Sequence, residues 1–186
     1  TPVQVLDILR EGNQRFCAGQ QLNRDLARQV DATAKGQHPL AVVLSCIDSR
    51  TPAELVFDMG LGDIFSVRVA GNVISEKVLG SMEYGCAVAG ARLVVVLGHT
   101  RCGAVQATLE ELQRPTPIRS LNFRSIADRI RPAVQGLLET ELRHDQEALT
   151  MHAVRANVRV SASYLRHGSE IIESLIQTDG LRVVGA

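Results

Sequence analysis

The sequence predicts an α/β fold in which helices flank a central, mostly parallel β-sheet and an N-terminal helical arm precedes it. Two observations lead to this prediction. Four short runs rich in Val and Leu lack apolar–polar alternation, which is typical of strands buried on both faces of a parallel sheet. Helical stretches separate these runs, and such strand–helix alternation indicates an α/β fold.

The chain opens with the predicted arm, residues 1–36. Apolar residues recur at near-helical spacing over 2–17, and a second helical stretch covers 24–35. A Gly-Gln-His-Pro break at 36–39 ends it. We expect the arm to pack outside the α/β core, which we assign to 37–186, and we treat the whole chain as a single domain.

The core contains the predicted strands and the helices between them. The strands are 40–45, 64–69, 92–97 and 181–184. The helices between them are 52–58, 75–89, 102–113 and 169–178. The remaining region, 118–167, is predicted to be largely helical, with breaks near Pro132 and Leu142.

Composition excludes several classes of function. Among 186 residues, twenty basic side chains balance twenty acidic ones, so no net charge attracts nucleic acid or anionic lipid. Aromatic residues make up 3% and Trp is absent, which removes most stacking platforms for bases. No window is apolar enough for a membrane span. A chain of this length does not need disulfides, so the four cysteines indicate reduced thiols in the cytoplasm.

Residues able to ligate a metal follow two of the predicted strands. Cys46 follows the run 40–45, and His99 and Cys102 follow the run 92–97. Ligands of open parallel sheets bind at the carboxyl ends of strands, near a topological switch point, so the fold can bring these three residues together. Two thiolates and one imidazole favour Zn²⁺ and leave one tetrahedral position open, as in catalytic zinc sites. His-x2-Cys alone fits a core cysteine and a helix-capping histidine equally well.

Asp48 and Arg50 follow the first of these cysteines. A carboxylate beside such a metal either takes the open position or pairs with a cation, and the planar guanidinium of Arg50 can meet it bidentately. In that pairing Asp48 stays ionised and can accept a hydrogen bond from the attacking nucleophile. The alternative is a surface ion pair of little energetic value. We expect the functional pairing. Cys17 and Cys86 lie in helical stretches and are interpreted as small buried apolar residues.

Three motifs together resemble the β-class carbonic anhydrases: C-x-D-S-R at 46–50, D-x-F-x-V-R-x-A-G-N at 63–72 and G-H-T-x-C-G at 98–103. The resemblance implies a zinc enzyme that reversibly hydrates CO₂ to bicarbonate and a proton. It also implies that Zn²⁺ is held by the cysteines and histidine of these motifs and that catalysis uses their Asp–Arg pair. These residues are Cys46, His99 and Cys102 for the metal, and Asp48 and Arg50 for catalysis.

The resemblance also implies a substrate pocket. In the open variety of the family a Gln, a Phe and a Tyr line it, and Gln37, Phe65 and Tyr84 stand at the matching positions. Val43 stands where the regulated variety has Trp, so the sequence is similar to the open variety. Taken singly, Phe65 and Tyr84 also fit core packing. Gly103 is expected beside the substrate, where it allows the backbone to come close.

The implied partners are CO₂, bicarbonate and further copies of the chain. The family is built on dimers, so we expect a homodimer or a higher even oligomer in which the arm embraces a second subunit. Gln37 of one subunit should then meet Phe65 and Tyr84 of the other. The chain also resembles carbonic anhydrase domains appended to bacterial sulfate-permease-type anion transporters, which leaves a fused or partner transporter open.

Two alternative functions remain at this stage. A carbonyl sulfide or carbon disulfide hydrolase could share every ligand. A non-catalytic zinc-binding regulatory domain is also open, and its mark would be the loss of Asp48, Arg50 or a metal ligand. None of these residues is lost.

Overall fold

The computed structural model of the chain describes residues 1–114 and 120–186, and these residues contain one four-stranded, fully parallel sheet. The predicted α/β fold class is confirmed. Each predicted strand is present to within a residue or two at either end. The strands are β1 (Ala41–Ser45), β2 (Ile64–Arg68), β3 (Leu93–Leu97) and β4 (Arg182–Gly185).

Strand β1 lies inside the sheet, whose order is β2-β1-β3-β4. Val43 is paired with Ser66 of β2 on one side and with Val95 of β3 on the other. All five residues of β1 are buried, which explains why the run contains no apolar–polar alternation. The chain runs from β1 outward to β2 and then crosses to the far side of β1 to form β3. The topological switch point therefore lies between β1 and β3.

Helices cover both faces of the sheet, and most begin at a residue whose side chain accepts a hydrogen bond from the first turn. Thr1 forms a capping box with Gln4, and Pro2 is pre-organised for the first helical position. The helices are α1 (Pro2–Cys17), α2 (Leu26–Thr33), α3 (Ala53–Val56), α4 (Glu76–Glu83), α5 (Gly103–Gln113), α6 (Leu121–Val134), α7 (Gln146–His167) and α8 (Glu170–Thr178).

Three groups of buried apolar residues stabilise this arrangement. On one face of the sheet, Val42 and Val94 pack with residues of α4, α7 and α8. On the other face, Val43 and Val95 pack with α1 and α3. A third group lies beyond the carboxyl end of the sheet, where α5, α6 and α7 meet around Ile130.

The helical region before β4 contains both predicted breaks. Pro132 lies inside α6, where its missing N–H removes one regular hydrogen bond, and the helix ends two residues later at Val134. The second break lies around Leu142, where 3-10 turns occupy Gln135–Glu139 and Glu141–His144. The predicted start of the region, 118–119, lies outside the described residues.

The two arm helices pack differently. Helix α1 belongs to the core, because Leu9 is 1% exposed between Val43 and Phe57, and Asn13 donates to the carbonyl of Val56 at 3.0 Å. The expectation that the whole arm packs outside the core is therefore wrong for α1. In α2, all of which the structure describes, no residue is buried.

Asp58 attaches the segment between α1 and α2 to the core. Its carboxylate is 2.5 Å from Arg15 Nε and 2.5 Å from Arg24 Nη1, and it accepts the N–H of Leu22 at 3.3 Å. Burial raises the pKa of Asp58, but the hydrogen bonds from Arg15, Arg24 and Leu22 outweigh it and hold the pKa below its ordinary value. Asp58 has φ 47°, a left-handed conformation that Asp and Asn tolerate best among non-glycine residues.

Asp58→Asn tests this attachment because Asn keeps the shape and tolerates the backbone conformation while removing the charge. We expect the free energy of unfolding at pH 7 to fall by about 1–3 kcal/mol. A depressed carboxyl pKa contributes stability above the unfolded-state pKa of about 3.9 and loses it as pH falls through the folded-state pKa. The difference between variant and wild type should therefore vanish in acid, as measured by urea unfolding at a series of pH values.

The control is Asp7→Asn, which removes an exposed pair with Arg10 at 3.4 Å and should change stability by no more than about 0.5 kcal/mol. Equal effects of the two substitutions at pH 7 would contradict the anchoring role of Asp58.

Candidate metal centre

The carboxyl ends of β1 and β3 bring together three side chains that are able to ligate a metal. Cys46 directly follows β1, and Cys102 stands at the N-terminus of α5. Their sulfurs are 4.0 Å apart, and one ring nitrogen of His99 lies with them in a cluster whose donor atoms are all within 4.8 Å. Arg101, between the histidine and the second cysteine, has the left-handed φ of 56°. Strained backbone of this kind is common at functional sites.

The ring of His99 presents Nε2 as its free donor atom. Nδ1 lies 2.9 Å from the carbonyl oxygen of Thr100, so Nδ1 carries the proton and donates it there. The side chain is 6% exposed, and Nε2 is buried with no hydrogen-bond partner among the described residues. A buried nitrogen lone pair without a partner is costly in a protein, and a metal ion would satisfy it.

The two buried thiols influence each other's ionisation. The contact with Cys102 lowers the pKa of Cys46 to about 4, against burial that raises it, and the N–H of Gly71 lowers it further. The contact with Cys46, together with burial, raises the pKa of Cys102. At neutral pH the pair thus holds one proton, and a cation that binds both sulfurs must release it.

Asp48 lies beside the cluster and is paired with Arg50. Arg50 Nε donates to Oδ1 at 2.9 Å, Nη2 donates to Oδ2 at 2.7 Å, and the backbone N–H of Arg50 donates to Oδ1 at 3.0 Å. These bonds hold the pKa of Asp48 well below its ordinary value. Oδ2 is also 3.8 Å from Nδ1 of His99. The carboxylate is therefore ionised, and its oxygens face the arginine rather than joining the three donor atoms.

Arg68, the last residue of β2, fixes the loop that carries Cys46 and Asp48. Its Nε donates to the carbonyl of Cys46 at 3.0 Å, and its Nη2 donates to the carbonyl of Asp48 at 2.6 Å. Sequence reasoning used Arg68 only as part of a motif and did not assign it this task. An arginine at the end of an otherwise apolar run was the available signal.

A tight turn after β2 approaches Cys46 from the other side. The N–H of Gly71 donates to Cys46 Sγ at 3.3 Å. Gly71 has φ 67°, and a Cβ built there would lie 2.8 Å from Ile130 Cδ1 and 3.2 Å from the Cβ of Ala104. Asn72 is also left-handed, with φ 43°. Both the conformation and the space at position 71 therefore require glycine.

Two polar residues of α7 hold this turn in place. Asn157 Nδ2 donates to the carbonyl of Gly71 at 2.7 Å, and Ser161 Oγ donates to the carbonyl of Asn72 at 3.0 Å. Both side chains are buried. Sequence analysis missed these two residues. Their only signal was the presence of Asn and Ser, four residues apart, on an otherwise apolar helix face.

The residues expected to line the substrate pocket lie in different parts of the fold. Phe65 and Tyr84 have ring centroids 6.3 Å apart and line a groove with Lys77 and Ser81. A second, larger groove borders His99 and Arg50, and among the described residues the two grooves share none. Gln37 is exposed in the loop before β1, and Gly103 is exposed at the start of α5. None of Gln37, Phe65 and Tyr84 lines the groove that borders His99.

The other two cysteines do not join the cluster. Cys86 is buried, as expected, and burial raises the pKa of its thiol to about 11. Cys17 is exposed, so the interpretation of this residue as buried is wrong. It is the last residue of α1, two turns beyond Leu9, whose side chain enters the core.

Comparison with known proteins identifies relatives of this chain. A family model described as "Carbonic anhydrase" matches residues 41–186. A carbonic anhydrase of Mycolicibacterium smegmatis is 47% identical over 72% of this chain and 65% of its own length. Carbonic anhydrase 2 of Mycobacterium tuberculosis is 41% identical over 84% of this chain and 79% of its own length. The chain thus spans slightly less than two thirds of one relative and about four fifths of the other.

Comparison with solved structures shows that the fold of this chain is similar to that of β-carbonic anhydrases. One of two tetrameric β-carbonic anhydrases from Sordaria macrospora superposes with a TM-score of 0.73 at 22% identity, covering 86% of this chain and 83% of the other. No helix within 1–114 or 120–186 is long and apolar enough to cross a membrane.

Gly71→Ala tests the close approach of the turn to Cys46. A new Cβ at position 71 incurs both the left-handed backbone cost and the collision with Ile130, so we expect a loss of about 2–4 kcal/mol in the free energy of unfolding. Gly19 is a matched control, because its φ is 66° and no described atom lies within 4 Å of its Cβ position. Gly19→Ala should lose only about 1 kcal/mol. Equal losses in urea unfolding would show that position 71 is not sterically constrained.

Proposed function

The chain belongs to the β-carbonic anhydrase family, and from that membership we propose that it catalyses the reversible hydration of CO₂ to bicarbonate and a proton with Zn²⁺ as its cofactor. The observation that carries the proposal is the buried cluster of two cysteine sulfurs and one histidine nitrogen. The other features of the site, including the ionised Asp48, are consistent with this chemistry.

The donor set fits zinc. Cys46, His99 and Cys102 offer two soft thiolates and one imidazole, and three protein ligands leave a position for reactants. The unpartnered Nε2 of His99 supports the assignment, because a metal ion bound to the two sulfurs would also satisfy this nitrogen. When bound, Zn²⁺ lowers the pKa of water and so supplies a nucleophile near neutral pH. Both thiols must remain reduced, so we further propose a reducing compartment such as the cytoplasm.

Asp48 is the residue we propose to orient the attacking oxygen. Arg50 keeps its carboxylate ionised and fixed in direction through three hydrogen bonds, and the side chain of Asp48 remains 15% exposed. An ionised, acceptor-only carboxylate can take a hydrogen bond from the oxygen that attacks CO₂, which leaves a lone pair of that oxygen aimed at the carbon. The released proton passes to solvent buffer. Arg50 thus acts by holding Asp48 in this orientation.

The substrate pocket is proposed to form between two subunits. Gln37 would donate its amide N–H to an oxygen of CO₂ or bicarbonate, and the partner's Phe65 and the partner's Tyr84 would exclude water from the approach. The proposal is supported by the observation that Phe65 and Tyr84 line a different groove from the one that borders His99. Gly103 would allow the start of α5 to come close to the substrate.

Exposed apolar side chains on the arm support a homodimer. Leu26 and Val30 stand one turn apart on α2 and are 56% and 55% exposed, and Leu22 before the helix is 54% exposed. Contiguous apolar surface of this kind marks protein–protein contacts. We propose that α2 and the segment before it, rather than α1, form the part of the arm that embraces a second subunit.

The two alternative functions are less well supported. Hydrolysis of carbonyl sulfide or carbon disulfide could use the same ligands, but both relatives compared are named carbonic anhydrases. A non-catalytic zinc domain has no need of an ionised carboxylate held against the metal cluster, and the Asp48–Arg50 pair is present. Parallel turnover of CO₂ and carbonyl sulfide would separate the first alternative from the proposal.

Stopped-flow CO₂ hydration on protein of measured zinc content tests the proposed function. We expect about one zinc per chain and CO₂ hydration in the wild type. Cys46→Ser should lose both zinc and activity, because a neutral hydroxyl cannot replace the thiolate. Asp48→Asn should keep zinc but lower kcat by about 10²-fold or more, because it weakens the hydrogen bond that orients the nucleophile.

Cys17→Ser serves as the control, because this cysteine is exposed and outside the cluster. It should retain zinc and activity. Zinc-loaded wild type without CO₂ hydration would refute the proposed reaction, and zinc loss in Cys17→Ser would refute the ligand set.

Sedimentation equilibrium tests the proposed dimer. The wild type should sediment at about twice the chain mass of 20.2 kDa. Leu26→Asp combined with Val30→Asp should produce monomers with reduced CO₂ hydration, since the pocket would lose residues from the partner. Ile171→Asp, at a comparably exposed position on α8, should leave the dimer intact. A monomeric wild type with full activity would exclude a pocket shared between subunits.

A further inference from the structure

The sulfur of Cys46 accepts a backbone hydrogen bond from a turn whose backbone conformation is unfavourable by itself. Gly71 donates to this sulfur at 3.3 Å, and both Gly71 and the next residue, Asn72, are left-handed. For a non-glycine residue this conformation costs of order 1–3 kcal/mol, and it is maintained only when contacts with the surrounding structure stabilise it. Something outside the turn must therefore fix its geometry.

Helix α7 supplies that constraint through Asn157. This side chain is 2% exposed and lies among apolar neighbours such as Ala153 and Val158, where a leucine would be the ordinary choice. Its Nδ2 donates to the carbonyl of Gly71 at 2.7 Å. Thus the carbonyl on one side of Gly71 is held by Asn157, while the N–H on the other side of Gly71 is directed at Cys46.

We propose that Asn157 is a positioning residue for the metal centre, acting through Gly71 on the sulfur of Cys46. Its side chain makes no hydrogen bond to Cys46, His99 or Cys102 in the described structure. Its amide fixes the peptide plane between Gly71 and Asn72. Through Gly71 this restricts the preceding peptide plane, whose N–H Cys46 Sγ accepts. The inference rests on the zinc-binding part of the proposed function and is independent of which substrate is turned over.

Ser161 provides an internal comparison. It lies one turn further along α7, is equally buried, and donates to the carbonyl of Asn72 at 3.0 Å. Asn72 donates nothing to a metal ligand in the described structure. Loss of either side chain leaves one backbone carbonyl unsatisfied. If both residues were purely structural, the two substitutions would therefore have similar effects on stability and on zinc affinity. An effect on the metal centre should be specific to Asn157.

Zinc affinity and the spectrum of the cobalt-substituted protein test the proposal. The full chain with Asn157→Ala and with Ser161→Ala would be titrated with Zn²⁺ in competition with a chromophoric chelator. We expect Asn157→Ala to bind zinc about 10-fold or more weakly, in the range found for removal of outer hydrogen-bond partners of metal ligands. Its thiolate-to-Co²⁺ charge-transfer band should shift. Ser161→Ala should keep the wild-type affinity and spectrum.

Asn157→Ser replaces Asn157→Ala if that variant does not fold, because it leaves a slightly smaller cavity, while its hydroxyl is one bond shorter than the amide and should not reach the carbonyl of Gly71. Wild-type zinc affinity and an unchanged cobalt spectrum in the folded Asn157 variant would overturn the proposal, as would equal losses in Ser161→Ala. Failure of the wild type to bind zinc would overturn the metal centre itself, so the two failures are distinguishable.

Discussion

The parallel pairing of β1 with β2 on one side and with β3 on the other is the constraint on which the rest of the structure depends. Because all the strands run the same way, the residues that follow β1, β2 and β3 emerge at a single edge of the sheet. Cys46 leaves β1 there, and His99 leaves β3 beside it. The turn around Gly71 leaves β2 on the opposite side of Cys46. Sheet register therefore decides which donors reach the metal position.

Burying two thiols and an imidazole in one cluster is unfavourable unless each group has a hydrogen-bond partner or a metal ion to replace the water it loses. Cys46 receives the N–H of Gly71, and His99 is oriented by its bond to the carbonyl of Thr100. What remains uncompensated is the lone pair on Nε2 of His99. A divalent cation would satisfy it. Arg50 engages both carboxylate oxygens of Asp48, which are not among the three clustered donor atoms.

Much of this could be read from the sequence, for identifiable physical reasons. The run 93–97 is uniformly apolar because both faces of β3 are buried, and the ligands follow strand ends because ligand sites of parallel sheets lie there. Asn157 could not be found, because its function depends on a contact with a turn 86 residues away. The position of Asn157 beside this turn results from tertiary packing, which leaves no recognisable pattern in the neighbouring sequence. The same applies to α1, whose amphipathic face does not reveal which apolar surface it will cover.

X-ray absorption at the zinc K-edge tests the central claim most directly, because it reports the donor atoms of the metal independently of activity. The account predicts two sulfur neighbours at about 2.3 Å and one imidazole nitrogen at about 2.1 Å, with any further neighbour a light atom. Cys46→Ser should remove the two-sulfur signal. A spectrum with four sulfur neighbours, or with none, would contradict the assignment of Cys46, His99 and Cys102 as the metal ligands.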